Sequence, residues 1–492
     1  MKVPELLDRN ASVMPQADAF RDANRRVSTE TAVHAVERIA ERLRQAGVTP
    51  GQRVLIVSEN DVATPLLLLA AQRIGAWPAL ANARVAPAEL AAMRQCVSPR
   101  LTVYATDASP AAASLATPAC VQWVDEHAGV LLVDASPDVG ATAPAQPGDD
   151  IGLLLFTSGT TGQAKAVMWS HTGLVRLGRV LAQTRATKAG SVVQCAGPLS
   201  HIMGIANLMA ALYVGATLQL MPRLEPHALV AAILAGEVTH LSLVPTAYQR
   251  LCDHLEARGL TLVDKGLRYI SSGGAPLDEA LKGRVERLFG LRLVNGYGMT
   301  ECAPGSRTRP DTASPADCIG WPEPGVEMKI DVAAGESIGE LLMKTSTKML
   351  GYFGAPGETA AVIRDDGWVA TGDLATQLPD GSFRLVGRRK EMIIRSGFNV
   401  YPAEVESALL SLPGVSQAAV VGLPTRDGNE EIVAFVRMQP DSASEFAALG
   451  ERLATLLAPY KRPSRIESVD EFPLGPTGKI AKRVLRERLA AG

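Results

Sequence analysis

No C-x-x-C pair occurs in this chain, and its six cysteines (Cys96, Cys120, Cys195, Cys252, Cys302, Cys318) are scattered. That excludes a disulfide scaffold or zinc ribbon and points to a reducing, cytoplasmic compartment. No two of the seven histidines lie within five residues of each other, so no histidine-based metal motif is present. Neither sign of charge dominates: Lys+Arg 49 against Asp+Glu 51 leaves a net charge of −2, and no nucleic-acid partner is expected. The opening MKVPELLDRNASV lacks the apolar core of a signal peptide. One uncharged stretch, Ile202 to Met221, is as long as a membrane span, but Asn207, Thr217, Gln219, Gly204 and Gly215 interrupt it. A buried helix, a turn at Gly215 and a strand Ala216–Met221 account for it, so no membrane span is expected.

What is present is ordinary globular composition, 47% hydrophobic and 20% charged over 492 residues. At roughly 150 residues per domain that makes about three units. Short apolar runs alternate with helix-like segments. Val54–Val57, Leu101–Ala105, Ile151–Leu155, His240–Val244, Leu267–Ser271 and Leu291–Val294 read as strands. Thr64–Ile74, Pro226–Ala235, Thr246–Arg258 and Leu277–Phe289 read as helices. The alternation predicts an α/β fold, a large N-terminal domain of parallel or mixed sheets with flanking helices. Ligands are then expected in loops beyond the carboxyl ends of strands, after Leu155, Ile270 and Val294. After Gly387 the character shifts to short strands (Ala418–Val421, Ile432–Val436) and two helices (Pro402–Leu410, Glu445–Leu457), which predicts a small α+β domain. The boundary is drawn between 1–387 and 388–492.

The segment richest in chemistry is Thr157-Ser158-Gly159-Thr160-Thr161-Gly162-Gln163-Ala164-Lys165, directly after a buried strand. Glycines let backbone N–H groups converge on an anion, hydroxyls donate further hydrogen bonds and lysine adds a point charge. It is not a Walker A loop, because Gly162 lies three residues before Lys165 and Ala166 follows. Gly335-Glu336-Ser337-Ile338-Gly339 matches the hydrolase elbow G-x-S-x-G, but extended sequence follows it, so a hairpin turn is expected instead.

Seven further segments join this loop in order along the chain. They are Pro198–Gly204, Ser272–Leu277, Asn295–Glu301, Thr371-Gly372-Asp373, Gly387–Lys390, Gly397–Pro402 and Pro473-x-x-x-Thr477-Gly478-Lys479. Together they resemble the adenylate-forming enzymes: acyl- and aryl-CoA synthetases, peptide-synthetase adenylation domains and luciferases. The resemblance implies activation of a carboxylic acid with ATP to an acyl-adenylate, then transfer of the acyl group to a thiol. A carboxylate must approach a polyanion. Two unit charges 4 Å apart interact by roughly 4 kcal/mol at an effective dielectric near 20, so placed cations must offset the repulsion.

By resemblance, Lys479 bridges acid and α-phosphate, Thr300 binds the α-phosphate and Glu301 holds Mg²⁺. The ATP site is expected to comprise Thr157, Ser158, Gly159, Thr160, Thr161, Gly162 and Lys165 with Gly273, Gly274, Ala275 and Pro276. Asn295, Gly296, Tyr297, Gly298, Met299, Thr300, Asp373, Arg388 and Lys479 complete it. Asp373 suits the ribose hydroxyls because an ionised carboxylate is a bidentate acceptor. Lys390 matches the hinge between the two domains, and Ser396, Gly397 and Phe398 match the tunnel of coenzyme A. The acid pocket is expected around His201, with Gly204, Ile205, Val244, Gly274, Gly296, Met299 and Cys302. None carries charge, so a monocarboxylic acid with an apolar body is expected. The reading is an ATP-dependent acid–CoA ligase. A carrier-protein thiol as acceptor, a catalytically silent nucleotide-binding relative and a homodimer stay open. Three departures from the family pattern stand out: Ala164 for a common proline, Ala166 for a common glycine, and Leu474-Gly475 for a common Arg-Thr.

Overall fold

The computed structural model describes the whole chain apart from residues 108, 136–149, 159–163, 333–334, 396–397, 426–428, 440–441, 476–479 and 492. Most of the phosphate loop, Ser396, Gly397 and Lys479 therefore lie outside the described residues.

Two large sheets carry the N-terminal part. One has thirteen strands among the described residues. Its centre is parallel, running Asp18–Arg21, Thr217–Leu220, Val192–Cys195, His240–Leu243, Tyr269–Gly273 and Leu293–Met299 in spatial order. The antiparallel strands Cys302–Arg307, Cys318–Pro322, Phe383–Arg388, Val369–Gln377, Gly339–Thr345 and Val326–Asp331 extend it to the other edge. The second sheet has eight strands around Arg53–Ser58, Trp77–Asn82 and Ile151–Ser158. Every residue of Arg53–Ser58 is buried, as a central parallel strand covered on both faces requires. The helices His171–Thr184 and Ile202–Val214 join the two layers into one core with Val193, Cys195, Leu218 and Leu155. The C-terminal part is a three-stranded sheet (Val415–Pro424, Glu430–Met438, Arg465–Ser468) with its own core around Val405, Leu409, Val420, Val436 and Leu453.

The architecture is the α/β class expected, with three local differences. The strand begun at Ile151 continues to Ser158 and pairs antiparallel with Ala164–Ser170, a strand not foreseen. The strand expected to end at Val294 continues to Met299, so the Asn295–Met299 segment is strand rather than loop. The helix expected over Glu445–Leu457 is two, Ala443–Phe446 and Leu449–Leu456, because Ala448 N–H bonds back three residues to Glu445. The elbow-like segment does lie between two antiparallel strands, Val326–Asp331 and Gly339–Thr345, and Ser337 is exposed. Where a membrane-length stretch was weighed, the helix Ile202–Val214 ends at Gly215 (φ 70°), whose N–H bonds to the Ala211 carbonyl. Among the described residues no helix is long and apolar enough to cross a membrane.

Candidate active site

Thr300 and Glu301 form the two-residue turn between Leu293–Met299 and Cys302–Arg307, with Met299 and Cys302 paired across it. Both residues are buried. The turn is held from the second sheet. The Trp169 indole donates to the Thr300 carbonyl (2.9 Å), and Met349 N–H donates to the Glu301 carbonyl (2.8 Å). The Tyr352 hydroxyl donates to Glu301 Oε1 at 2.7 Å. Burial and the adjacent Glu301 carboxylate raise the Tyr352 pKa, so the phenol stays protonated and keeps donating. Above the same ring sits Lys165 Nζ, 5.3 Å from the centroid, and it pairs with Glu358. Lys165 lies opposite Thr157 in the hairpin that flanks the phosphate loop.

A second polar node starts from Tyr297, on the strand that leads into the turn. The Tyr297 hydroxyl donates to Asp373 Oδ2 (2.6 Å), and Arg388 Nε donates to Asp373 Oδ1 (3.2 Å). Asp373 and Arg388 face each other in register across neighbouring strands. Burial raises the Asp373 pKa, with Arg388 and the Tyr297 hydroxyl opposing it. Gly372 turns the chain here with φ 71°, and its N–H donates to Glu340. Gly273 and Gly296 are register partners at the ends of parallel strands; a Cβ on Gly273 would stand 2.9 Å from the Gly296 carbonyl oxygen. Gly274 (φ 79°) and Pro276 are exposed beyond them, with Ala275 between, and Gly298 is exposed on the neighbouring strand.

Several residues named from sequence have other work in the fold. Asn295 Nδ2 donates to the carbonyls of Ala316 (2.9 Å) and Cys318 (3.0 Å), so its side-chain amide nitrogen braces a loop. Gly204 packs under the Pro198–Leu199 backbone, where a Cβ would meet the Pro198 oxygen at 2.2 Å; close approach explains this glycine. Ile205 belongs to the main core. Cys302 is fully buried against Met343 and Val369, and burial pushes its thiol up to about 12, so it lines no accessible pocket. His201 is half-buried and caps the helix Ile202–Val214, its Nδ1 accepting from Met203 N–H at 3.3 Å. Val244 is half-buried before the helix Pro245–Glu256, and Met299 is half-buried beside the turn.

The family model of the AMP-binding enzymes matches residues 7–353, and that of the AMP-binding enzyme C-terminal domain matches residues 404–479. This chain belongs to the AMP-binding enzyme family. Within the family it is 34% identical to a feruloyl-CoA synthase of Amycolatopsis sp, over 98% of this chain and 97% of that protein. It is 32% identical to the 4-coumarate–CoA ligase-like 5 protein of Oryza sativa subsp. japonica, over 97% and 88% respectively. The ATP-bound crystal structure of MatB from Rhodopseudomonas palustris superposes with a TM-score of 0.83 at 26% identity, covering 99% of each chain.

The other residues expected from sequence in the site, Lys390 and Phe398 among them, lie in the C-terminal part. Lys390 is exposed in the short turn Arg389–Glu391, and neighbouring Glu391 pairs with Lys482 of the last helix (3.1 Å). Phe398 is exposed and stacks on Tyr460 at 4.4 Å. Among the described residues no group of three or more His, Cys, Asp or Glu could hold a metal ion. A Mg²⁺ that keeps waters and binds phosphate oxygens needs only one or two protein carboxylates. Glu301, an oriented and buried carboxylate, fits that role.

Tyr352, Trp169 and Glu358 escaped the sequence reading. No motif marks them. Tyr352 reaches Glu301 because Gly351–Tyr352 pairs with Ala164–Ser170, nearly two hundred residues earlier.

Proposed function

We propose that this chain is an ATP-dependent acid–CoA ligase, which forms an acyl-adenylate from a monocarboxylic acid and then the acyl-CoA thioester with release of AMP. The observation that carries the reading is that one strand and the turn after it, Leu293–Glu301, bear members of two polar nodes. Tyr297, Asp373 and Arg388 form one, and Thr300 and Glu301 with Lys165 nearby form the other. The first suits a ribose, with Asp373 as acceptor. The second suits phosphates. We assign Glu301 to Mg²⁺, which when bound neutralises phosphate charge. Thr300 orients the α-phosphate, and Lys165 with the 157–163 loop holds the β- and γ-phosphates.

Lys479 is proposed to bring the positive charge that lets the acid's oxygen approach the α-phosphorus. Domains 1–387 and 388–492 would turn about Lys390, presenting first Lys479 and then the Ser396-Gly397-Phe398 segment, where coenzyme A enters. The test is pyrophosphate release against a panel of aliphatic, aromatic and amino acids, with and without CoA. Release that needs an acid, and thioester that needs free CoA, supports the reading. Loading of a carrier protein with no use of free CoA would displace it.

A further inference from the structure

Two carboxylates approach the Tyr352 ring, and they are held in different ways. The pairing of Gly351–Tyr352 with Ala164–Ser170 sets Tyr352 opposite Val167, and the Phe353 N–H extends it with a bond to the Ala166 carbonyl (2.8 Å). That register carries the ring under Lys165 Nζ, while the hydroxyl at its far end donates to Glu301. The chain then enters the short helix Pro356–Val362, with Ala355 as its N-cap. Thr359 fastens that helix to the same strand. Its hydroxyl accepts from the Tyr352 N–H (2.9 Å) and donates to the Ala355 carbonyl (3.0 Å). Gly351 has no side chain where Thr359 packs, since a Cβ there would meet its methyl group at 2.8 Å. Glu358, one residue before Thr359, is thereby set beside Lys165, and the two pair.

Glu301 is buried and receives a hydrogen bond from Tyr352, so it is fixed. Glu358 has 47% of its side chain exposed and Lys165 has 22%, and among the described residues each is the other's one ion-pair partner. An ion pair this open to water shifts an equilibrium by at most about fivefold, so the partners exchange at little cost. A carboxylate in the first turn of a helix also offsets the charge of the helix end, but that structural role needs no lysine. Lys165 in turn does not need Glu358 to be placed. Its backbone lies opposite Thr157 in the hairpin, and the Tyr352 ring supports its ammonium 5.3 Å from the centroid. Phosphate oxygens that come onto this ammonium meet Glu358 as a like charge at close range. The carboxylate and the phosphates compete for one cation.

We propose that Glu358 is a positioning residue that acts through Lys165: a competing counterion that loosens the hold on the β- and γ-phosphates and eases the departure of pyrophosphate. The proposal rests on the reading of Lys165 as the cation for those phosphates. AMP has neither phosphate, so its binding is indifferent to Glu358. A general effect on folding or on the nucleotide site would not make that distinction.

The experiment titrates pyrophosphate, ATP and AMP, each with Mg²⁺, into the full-length wild-type chain and its Glu358→Gln variant by calorimetry. Glu358→Gln should bind pyrophosphate and ATP about three- to tenfold tighter, the lost pair supplying up to about fivefold and the relieved repulsion the rest, and should leave AMP unchanged. Turnover should agree, with a lower KM for ATP and stronger product inhibition by pyrophosphate, by matching factors. Glu358→Ala, which offers no amide in the carboxylate's place, should repeat the result, and Glu358→Asp should fall between. In a Lys165→Met background the gain from Glu358→Gln should shrink to less than about twofold. Unchanged or weaker pyrophosphate binding in Glu358→Gln, an equal gain for AMP, or a gain that persists in full without Lys165 overturns the proposal and leaves the ligase reading standing. A wild type that binds neither ATP nor pyrophosphate overturns both.

Discussion

Tyr352→Phe removes one oxygen atom at the point where the two sheets meet. The lost hydrogen bond runs to a carboxylate, and both partners are buried, Tyr352 at 6% and Glu301 at 8% exposure. Hydrogen bonds to charged groups contribute about 1.5–3 kcal/mol, and a buried carboxylate oxygen left unpaired is costly. The Phe ring still underlies Lys165, so that cation–π contact, about 0.5–1 kcal/mol, persists. The variant is expected to melt a few degrees lower. With Glu301 no longer held, half-maximal pyrophosphate release should need roughly tenfold more Mg²⁺, equivalent to about 1.4 kcal/mol. Tyr352→Leu, which also loses the ring, should in addition raise the KM for ATP. A Tyr352→Phe enzyme that matches wild type in both the melt and the Mg²⁺ titration would refute the bridging role.

Gly204→Ala should destabilise by about 1–3 kcal/mol, because its Cβ meets the Pro198 backbone at 2.2 Å; a thermal melt equal to wild type would show the turn is soft. Lys479→Ala should abolish adenylate formation but largely spare thioester formation from a preformed acyl-adenylate, and equal loss of both half-reactions would count against the two-orientation account. Burial depresses the His240 pKa to about 4, so its contribution to stability is full above the unfolded value near 6.5 and is lost as pH falls towards 4. His240→Gln should flatten the fall in melting temperature between pH 6.5 and 4; an unchanged slope places the sensitivity elsewhere.

Local pattern carried much of the fold. Leu101–Ala105 and Pro402–Leu410 occupy the residues that their apolar patterning predicts. The helix Ile202–Val214 was legible because its apolar run is stopped by a glycine able to adopt φ 70°. What escaped depends on long-range pairing. Ala164–Ser170 is a strand because Ile151–Ser158 lies beside it, and Asn295–Met299 stays extended because Cys302–Arg307 returns along it. Asp373 stood out as a three-residue motif and Arg388 is its register partner, while Tyr297 reaches it from a strand that does not neighbour its own. The braces at Glu301 carry no motif, since Tyr352 and Trp169 arrive from another sheet.

In the proposed reaction a carboxylate oxygen attacks the α-phosphorus of ATP. Supplying a turned-over acid labelled with ¹⁸O in both carboxyl oxygens, with CoA present, and weighing the products tests this directly. The account predicts AMP carrying one ¹⁸O and unlabelled pyrophosphate. Label in inorganic phosphate together with ADP would contradict it.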